Sequence, residues 1–201
     1  MKRIFVNIIV LSVFLSALCF WVNYSSELKQ AYNWAYKNKI TTMNTIGWAR
    51  LSDWLTREEM AKMISNYAVD ILWKVPDTTK SCYFLDSNIN PDLLQYVTES
   101  CQLWLMWQWI TSFRPKDFVK RAEFWTVLSR MLWWNEYEWG VLYYENHLKA
   151  LNVSWIMNNI SSPYSNEVRW YVMLMLMRSV WWSADDIINN DQISDILNML
   201  D

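Results

Sequence analysis

The stretch Leu55-Thr56-Arg57-Glu58-Glu59-Met60-Ala61 and the stretch Val119-Lys120-Arg121-Ala122-Glu123-Phe124-Trp125 carry one pattern twice. Each places an aliphatic residue, a polar residue and an arginine ahead of an apolar stripe with helical spacing, and a glutamate follows the arginine. In the first copy Thr56 is suited to the N-cap and Glu59 to the third helical position, which together make a capping box. The pattern predicts two helices that begin in the same way.

A capping box does not account for Arg57 and Arg121. A cation in the first turn of a helix faces the positive end of the helix dipole, which is mildly unfavourable. In one interpretation, the free amides of the helix start and the guanidinium bind a carboxylate or a phosphate. In the other, each arginine pairs with a carboxylate of a neighbouring repeat. The spacing favours neither interpretation.

The chain has six apolar stripes with helical spacing and no convincing strand pattern. The stripes run over residues 28–36, 60–71, 93–105, 124–132, 148–156 and 168–180. They fall into three pairs, and the second helix of the third pair begins Tyr164-Ser165-Asn166-Glu167-Val168-Arg169-Trp170, with Asn166 and Glu167 in place of Arg-Ala. Because one helix pair cannot bury its apolar face alone, we expect an all-α fold in which three pairs pack on one another.

The N-terminus has the composition of a targeting segment. Lys2 and Arg3 precede a largely apolar stretch at residues 4–20. We expect this stretch to be a cleaved signal peptide, an uncleaved membrane anchor or a lipoprotein signal. The last alternative is disfavoured by Leu18, whose side chain is large for the position before the lipoprotein cysteine. Each alternative exports the rest of the chain. The net charge of −2 and the lack of a run of like charges argue against a nucleic-acid partner.

Export determines how the cysteines are interpreted. Cys19 lies in the targeting segment, so Cys82 and Cys101 remain as an even pair, for which an oxidising compartment favours a disulfide over two buried thiols. His147 is the only histidine and no Cys-x-x-Cys pair occurs, so no metal site is expected. The sequence has no nucleophile–base pair and no phosphate loop. We therefore expect a protein without enzymatic activity and without a cofactor.

The chain holds 16 tryptophans and only 2 glycines, whereas about 7% of an average chain is glycine. Several tryptophans stand where a left-handed glycine normally ends a helix, among them Trp104, Trp133-Trp134 and Trp181-Trp182. We interpret most of the tryptophans as glycines that are encoded by UGA and read with the standard code. The alternative is a genuinely tryptophan-rich protein. Trp34 is the best candidate for a true tryptophan.

The chain resembles S-layer homology (SLH) domains. The resemblance rests on Phe113-Arg114-Pro115 ahead of Val119-Lys120-Arg121-Ala122-Glu123-Phe124, on Tyr83-Phe84-Leu85-Asp86 as a repeat start, and on Trp107-Gln108-Trp109-Ile110 as a turn once tryptophan is read as glycine. The resemblance covers residues 28–182. The amino-acid sequence is also similar to those of SLH proteins from bacteria that read UGA as glycine. The resemblance implies a pseudo-threefold unit of repeats at 25–80, 81–140 and 141–182, the last degenerate. A signal or anchor helix at 1–24 precedes this unit, and an acidic helix or tail at 183–201 follows it.

The resemblance also implies a function. In SLH domains the grooves between repeats bind cell-wall polysaccharide non-covalently, often through the carboxylate of a pyruvylated sugar. We therefore expect an exported protein of the cell surface, cell wall or outer face of the membrane, which anchors there and can self-assemble. The alternative is an envelope assembly module that has lost glycan binding. By resemblance, the glycan- or anion-binding candidates are Arg57, Arg121, Arg114, Thr56, Glu59 and Glu123.

Overall fold

A computed structural model describes residues 24–86, 88–106 and 111–185, and these residues form six α-helices and no β-strand. The all-α expectation and the six helices are confirmed. The apolar segment at 4–20 and residues 186–201 lie outside the described residues. Within the described ranges no helix is long and apolar enough to cross a membrane. The helices are α1 (Ser26–Lys37), α2 (Arg57–Asn66), α3 (Leu94–Gln102), α4 (Arg121–Trp133), α5 (Glu145–Val153) and α6 (Arg169–Asp185).

The helix starts follow the chemistry of the sequence. The Ser25 hydroxyl accepts a hydrogen bond from the Leu28 amide at 3.2 Å and so caps α1. A short 3₁₀ turn, Pro91–Leu93, leads into α3, because proline suits the first turn of a helix. A π-helical turn, Tyr67–Ile71, continues α2 and carries the second apolar stripe to its predicted end.

A residue with positive φ follows each of the first five helices, and four of these five residues are tryptophans. Glycine is the usual residue there, because in this conformation a Cβ atom crowds the following carbonyl oxygen. Trp134 is the extreme case, since its φ of 57° and ψ of −129° lie in a region that glycine occupies and other residues avoid. The five residues are Lys39, Trp73, Trp104, Trp134 and Trp155.

Trp104 explains why α3 stops short of Leu105. The Trp104 amide donates to the Cys101 carbonyl at 3.0 Å, and the Leu105 amide donates to the Ser100 carbonyl at 3.0 Å, which are the two bonds of a Schellman motif. The turns expected at Trp104 and at the end of α4 are therefore confirmed. The turn expected at Trp181-Trp182 is wrong, because α6 continues through both residues and neither glycine nor proline interrupts it there.

The six helices enclose one apolar core, to which all of them contribute side chains. α2 packs against α3, α4 against α5, and α6 against α1, so each of these three helix contacts joins two different predicted repeats. Two polar pairs lie inside this core. The buried hydroxyls of Tyr67 and Ser179 lie 2.8 Å apart, and the buried His147 lies with Nδ1 2.9 Å from the Ser129 hydroxyl.

Cys82 and Cys101 are joined by a disulfide, as the sequence predicts. The bond ties the segment that precedes α3 to the last turn of α3, across a separation of 19 residues. By constraining the unfolded chain, a loop of this size contributes about 3 kcal/mol to the free energy of unfolding.

Candidate binding site

Three segments meet at the point where α2, α4 and α6 begin. The Leu55 amide donates to the Glu167 carbonyl at 2.9 Å, the Glu167 amide to the Val119 carbonyl at 2.8 Å, and the Val119 amide to the Leu55 carbonyl at 2.9 Å. These three backbone hydrogen bonds form a closed cycle. They place Leu55, Val119 and Glu167 at corresponding positions in the three segments.

The amides two residues further along form a second cycle around the three segments, in the opposite sense, and each donates to a carbonyl of the next segment. Arg169 therefore corresponds to Arg57 and Arg121, and an arginine begins α2, α4 and α6 alike. The sequence alignment that placed Asn166 opposite Arg57 and Arg121 is therefore wrong by three residues. The correct alignment depends on hydrogen bonds between distant segments, which the sequence does not reveal. The three hydrogen bonds run from Arg57 to Asp117, from Arg121 to Ser165 and from Arg169 to Asp53, at 3.0, 2.9 and 3.2 Å.

The first amides of these three helices are already paired. The next amides, those of Glu58, Ala122 and Trp170, also donate to loop carbonyls, at 3.2, 2.9 and 3.0 Å. A helix N-terminus binds an anion through unpaired amides. These amides are therefore not available to an anion, contrary to the interpretation based on the helix starts. Ligand contacts at this place fall to side chains.

Arg57 pairs with the glutamate of the second motif. Its Nη1 lies 3.3 Å from Glu123 Oε1, its Nε donates to the Phe113 carbonyl at 2.8 Å, and the residue is buried. Glu123 Oε2 accepts the Lys120 amide at 2.7 Å, so one carboxylate caps its own helix and holds the arginine of another motif. Burial lowers the pKa of Arg57 below that of a free guanidinium. The neighbour-pairing interpretation is confirmed for Arg57.

Arg169 and Glu59 repeat this arrangement between the third and first motifs. Arg169 Nη2 binds Glu59 Oε1, and Glu59 Oε2 accepts the amide of the N-cap residue Thr56 at 3.0 Å. Burial raises the pKa of Glu59, but the hydrogen bonds from Arg169 and from the Thr56 amide outweigh it, so the pKa lies below its ordinary value. The helix-start role expected of Glu59 and Glu123 is confirmed.

The interface around Arg121 has no such glutamate. Tyr171 stands at the position that a glutamate holds in the other two motifs, and the Arg121 guanidinium lies 5.3 Å from the centroid of its ring. The guanidinium is also 4.8 Å from the Trp125 ring centroid. Its Nη1 and Nη2 donate to the carbonyls of Ser161 and Asn159 at 2.7 and 3.0 Å. Backbone carbonyls and aromatic rings thus hold Arg121.

The carboxyl group closest to Arg121 belongs to Glu167, at the position that aliphatic residues hold in the other motifs. The Glu167 side chain is 2% exposed, and its Oε1 accepts the Val168 amide at 3.0 Å. Oε2 has no hydrogen-bond partner and lies 3.8 Å from Arg121 Nε, which is too long for a hydrogen bond. Burial raises the pKa of Glu167 to about 7, although the Val168 amide, the charge of Arg121 and the Trp125 indole act in the opposite direction.

Three clefts open beside the three arginines, and we name each after its arginine. The Arg121 cleft, about 800 Å³, is lined mainly by polar and aromatic residues. The Arg57 cleft is about 500 Å³ and the Arg169 cleft about 300 Å³. Of the predicted site residues, Arg121 lines the first cleft, Arg57, Arg114 and Glu123 line the second, Glu59 lines the third, and Thr56 lines none of them.

Asp86, from the expected repeat start, holds the loop that carries Arg114. It accepts the Ser112 hydroxyl at 2.9 Å and the Arg114 amide at 3.1 Å, and it also accepts the Phe113 amide. Burial raises the pKa of Asp86, but these hydrogen bonds outweigh it and bring the pKa below its ordinary value. Arg114 itself is half-exposed at the cleft and lies 3.4 Å from Asp117. Asp86 thus shapes one wall of the Arg57 cleft.

Glu167, Arg169 and Tyr171 were not predicted from the sequence as site residues. The signal that could have found them is Arg169 itself. Aligning Arg169 with Arg57 puts a tyrosine at the place of the motif glutamate and a glutamate at the place of the motif leucine.

Comparison of the chain with models of known protein families finds no match, and neither does comparison with curated proteins. In the part of the chain that the structure describes, histidine, cysteine, aspartate and glutamate form no group that could hold a metal ion.

Proposed function

We propose that the protein is an exported component of a bacterial cell envelope that binds cell-wall polysaccharide non-covalently, in clefts between three helix-pair repeats. The observation that carries the proposal is the closed cycle of Leu55, Val119 and Glu167, which is followed by an arginine in each motif. The same backbone hydrogen bond occurs once in each of the three segments. This supports a pseudo-threefold unit of the kind that the SLH resemblance implies.

The Arg121 cleft is the best candidate for the polysaccharide. It combines the rings of Trp170 and Tyr171 with asparagine side chains and a guanidinium. Aromatic rings pack on the apolar faces of sugars, and amides bind their hydroxyl groups. Arg57 and Arg169 each bind a glutamate, whereas Arg121 makes no hydrogen bond to a carboxylate among the described residues. Arg121 is therefore the arginine best placed to bind an acidic substituent.

Export is supported by two features of the chain. The segment at 4–20 has the charge and hydropathy pattern of a targeting sequence. The disulfide between Cys82 and Cys101 is of a kind that persists in oxidising compartments outside the cytoplasm.

Retention on purified bacterial cell walls tests the proposal. The wild-type protein should co-sediment with the walls, and Arg121→Gln should weaken retention by about tenfold or more, since a charge-assisted contact is lost. Lys37→Gln removes one positive charge from an exposed site on α1 and serves as the matched control. Tyr171→Glu leaves Arg121 in place but gives it a carboxylate, and it should weaken retention as well. Equal retention of all four proteins, or no retention of the wild type, would contradict the proposal.

One observation favours assembly with other protein chains as a second candidate function. Trp54 and Phe118 are 53% and 44% exposed, and their rings meet edge to face at 5.1 Å between centroids. Exposed aromatic pairs are typical of protein interfaces. Sedimentation equilibrium of the wild type and of Phe118→Ser tests this function, since a reversible oligomer that the variant loses would support it.

We also propose that the natural protein has glycine at the four turn tryptophans, Trp73, Trp104, Trp134 and Trp155. All four are exposed at positive φ, so their indoles gain little from packing while their backbone is strained. Trp34 differs, because it lies half-buried inside α1 with its ring 6.2 Å from that of Tyr67. The gene should carry UGA at the four turns and UGG at Trp34. UGG at the turns would contradict the proposal.

A further inference from the structure

Glu167 gives the Arg121 cleft a property that the other two clefts lack. The corresponding residues Leu55 and Val119 are buried aliphatic side chains, whereas Glu167 brings an ionisable group to the same depth. Its Oε2 is buried beside Arg121 at the wall of the cleft and has no hydrogen-bond partner. A buried polar atom without a partner costs free energy. The arrangement therefore favours an event that gives this oxygen a proton or a donor.

We propose that the Arg121 cleft takes up a carboxylate-bearing sugar together with one proton, which Glu167 binds from the solvent. This inference rests on the proposed function. A ligand carboxylate at Arg121 lies next to the Glu167 carboxyl group, and two carboxylates that share one buried site are not both ionised. Protonated Glu167 removes the repulsion and donates its O–H to the ligand, while Arg121 balances the ligand's charge.

The other groups that face Glu167 do not compete for this proton. Arg121, from α4, is the cation of the site and its Nε lies 3.8 Å from Glu167 Oε2. Burial raises the pKa of Tyr171, from α6, so its hydroxyl stays neutral. Arg178 and Glu27, which also line the cleft, bind each other at 2.5 Å. Since burial brings the pKa of Glu167 to about 7, this group gains or loses its proton near neutral pH.

Isothermal titration calorimetry of the full chain tests the proposal, with a pyruvylated methyl hexoside as probe and the same hexoside without the pyruvyl group as blank. Two buffers of different ionisation enthalpy, at about pH 8, report the protons bound. The wild type should take up close to one proton per probe, and its apparent Kd should rise about tenfold for each pH unit above 7. Glu167→Leu, which copies Leu55, should lose the proton uptake and the pH dependence. Glu167→Gln keeps a donor and should bind the probe with a Kd that does not change with pH.

Each outcome bears on a different part of the proposal. Binding of the probe by the wild type without proton uptake overturns it, and so does unchanged uptake in Glu167→Leu. Equal binding of the blank, or retention on cell walls without binding of the probe, overturns the carboxylate assignment and leaves the proposed function in place. No retention on cell walls at any pH overturns the inference and the proposed function together.

Discussion

The Arg57 and Arg121 interfaces share their backbone hydrogen bonds and differ in two side chains. At the first, Glu123 caps α4 and binds a buried guanidinium, with an aliphatic residue beside them. At the second, Tyr171 replaces the glutamate and Glu167 replaces the aliphatic residue. The first interface is a closed ion pair that joins two motifs. The second leaves a guanidinium and an unpaired carboxyl oxygen at the wall of the larger cleft. The same backbone arrangement thus supports an ion-paired contact between motifs at one interface and a candidate binding site at the other.

The largest effect is expected from breaking the closed interface. Glu123→Ala removes both the partner of a buried guanidinium and the cap of α4, and should lower the free energy of unfolding by about 4 kcal/mol. Urea unfolding measures this change. Tyr171→Phe, at the corresponding position of the other interface, keeps the ring against Arg121 and should stay within about 1 kcal/mol of the wild type. If both variants lose the same stability, the two interfaces do not differ as described.

Removing the disulfide should affect the Arg57 cleft more than the Arg121 cleft, because the disulfide lies on the segment that shapes the Arg57 cleft. Cys82→Ser together with Cys101→Ser should lower the free energy of unfolding by about 3 kcal/mol. Hydrogen exchange should accelerate more at the Leu85 amide, which lies near Cys82 and donates to the Thr111 carbonyl at 2.8 Å, than at the Glu167 amide. Equal acceleration at both amides would show that the two clefts depend on the crosslink alike.

Two buried groups make the stability depend on pH in opposite directions. Burial raises the pKa of Glu167 from 4.5 to about 7 and lowers that of His147 from 6.5 to about 4. Folded protein keeps Glu167 protonated while the unfolded chain ionises, so stability is lost as pH rises from about 4.5 to 7. Folded protein keeps His147 neutral while the unfolded chain binds a proton, so stability is lost as pH falls from about 6.5 to 4.

Each of these two groups changes the free energy of unfolding by about 3 kcal/mol over its own pH range, and in the wild type the two slopes oppose each other. Glu167→Leu should unmask a loss of stability on acidification from about pH 6.5 to 4. His147→Asn should unmask a loss as the pH rises from about 4.5 to 7. Urea unfolding across this pH range is the measurement. A flat profile in Glu167→Leu would contradict the assignment of the acid-side loss to His147.

The open interface can be converted into a copy of the closed one. Glu167→Leu together with Tyr171→Glu removes the unpaired carboxyl group and supplies the missing partner of Arg121, and should raise the free energy of unfolding by about 1 kcal/mol. Tyr171→Glu alone puts two carboxylates beside one guanidinium and should be less stable than the double variant. A double variant less stable than the wild type would show that the side chains around Arg121 are already matched.

The smallest effects are expected at the turns that lead into the two clefts. Trp104 precedes the residues Leu105 and Met106 of the Arg57 cleft, and Trp155 precedes the asparagines of the Arg121 cleft. Trp104→Gly and Trp155→Gly should each raise the free energy of unfolding by about 1 kcal/mol, because a left-handed backbone is relieved. Trp34→Gly, inside α1, should lower it by about as much or more. Thermal unfolding measures all three, and a loss at either turn would contradict the strain at positive φ.

Local chemistry accounts for the part of the structure that the sequence predicted. The apolar stripes determine where the helices lie, since each stripe must face the core. The disulfide between Cys82 and Cys101 follows from counting the cysteines beyond the targeting segment. Trp104 and Trp134 stand at helix ends, as their place after an apolar run suggests.

Contacts between distant segments account for what was not predicted. Arg169 was not predicted as the third arginine, because the residue two positions after it is tyrosine, whereas the other two motifs have glutamate there. Only the backbone hydrogen bonds align Arg169 with Arg57 and Arg121. The burial of Glu167 is likewise a property of the assembled cycle, and a polar sequence neighbourhood gives no sign of it. The pairing of the helix-start amides could not be predicted, because their carbonyl partners lie in other motifs.

The most direct test of the account is the retention of the Glu167→Leu/Tyr171→Glu double variant on purified cell walls, measured beside the wild type. We expect the double variant to be folded and disulfide-bonded. Its retention should fall to the level seen with walls stripped of polysaccharide, because Arg121 would then be paired with a carboxylate, as Arg57 is paired with Glu123. Retention equal to that of the wild type would contradict the account and show that the Arg121 cleft is not the binding site.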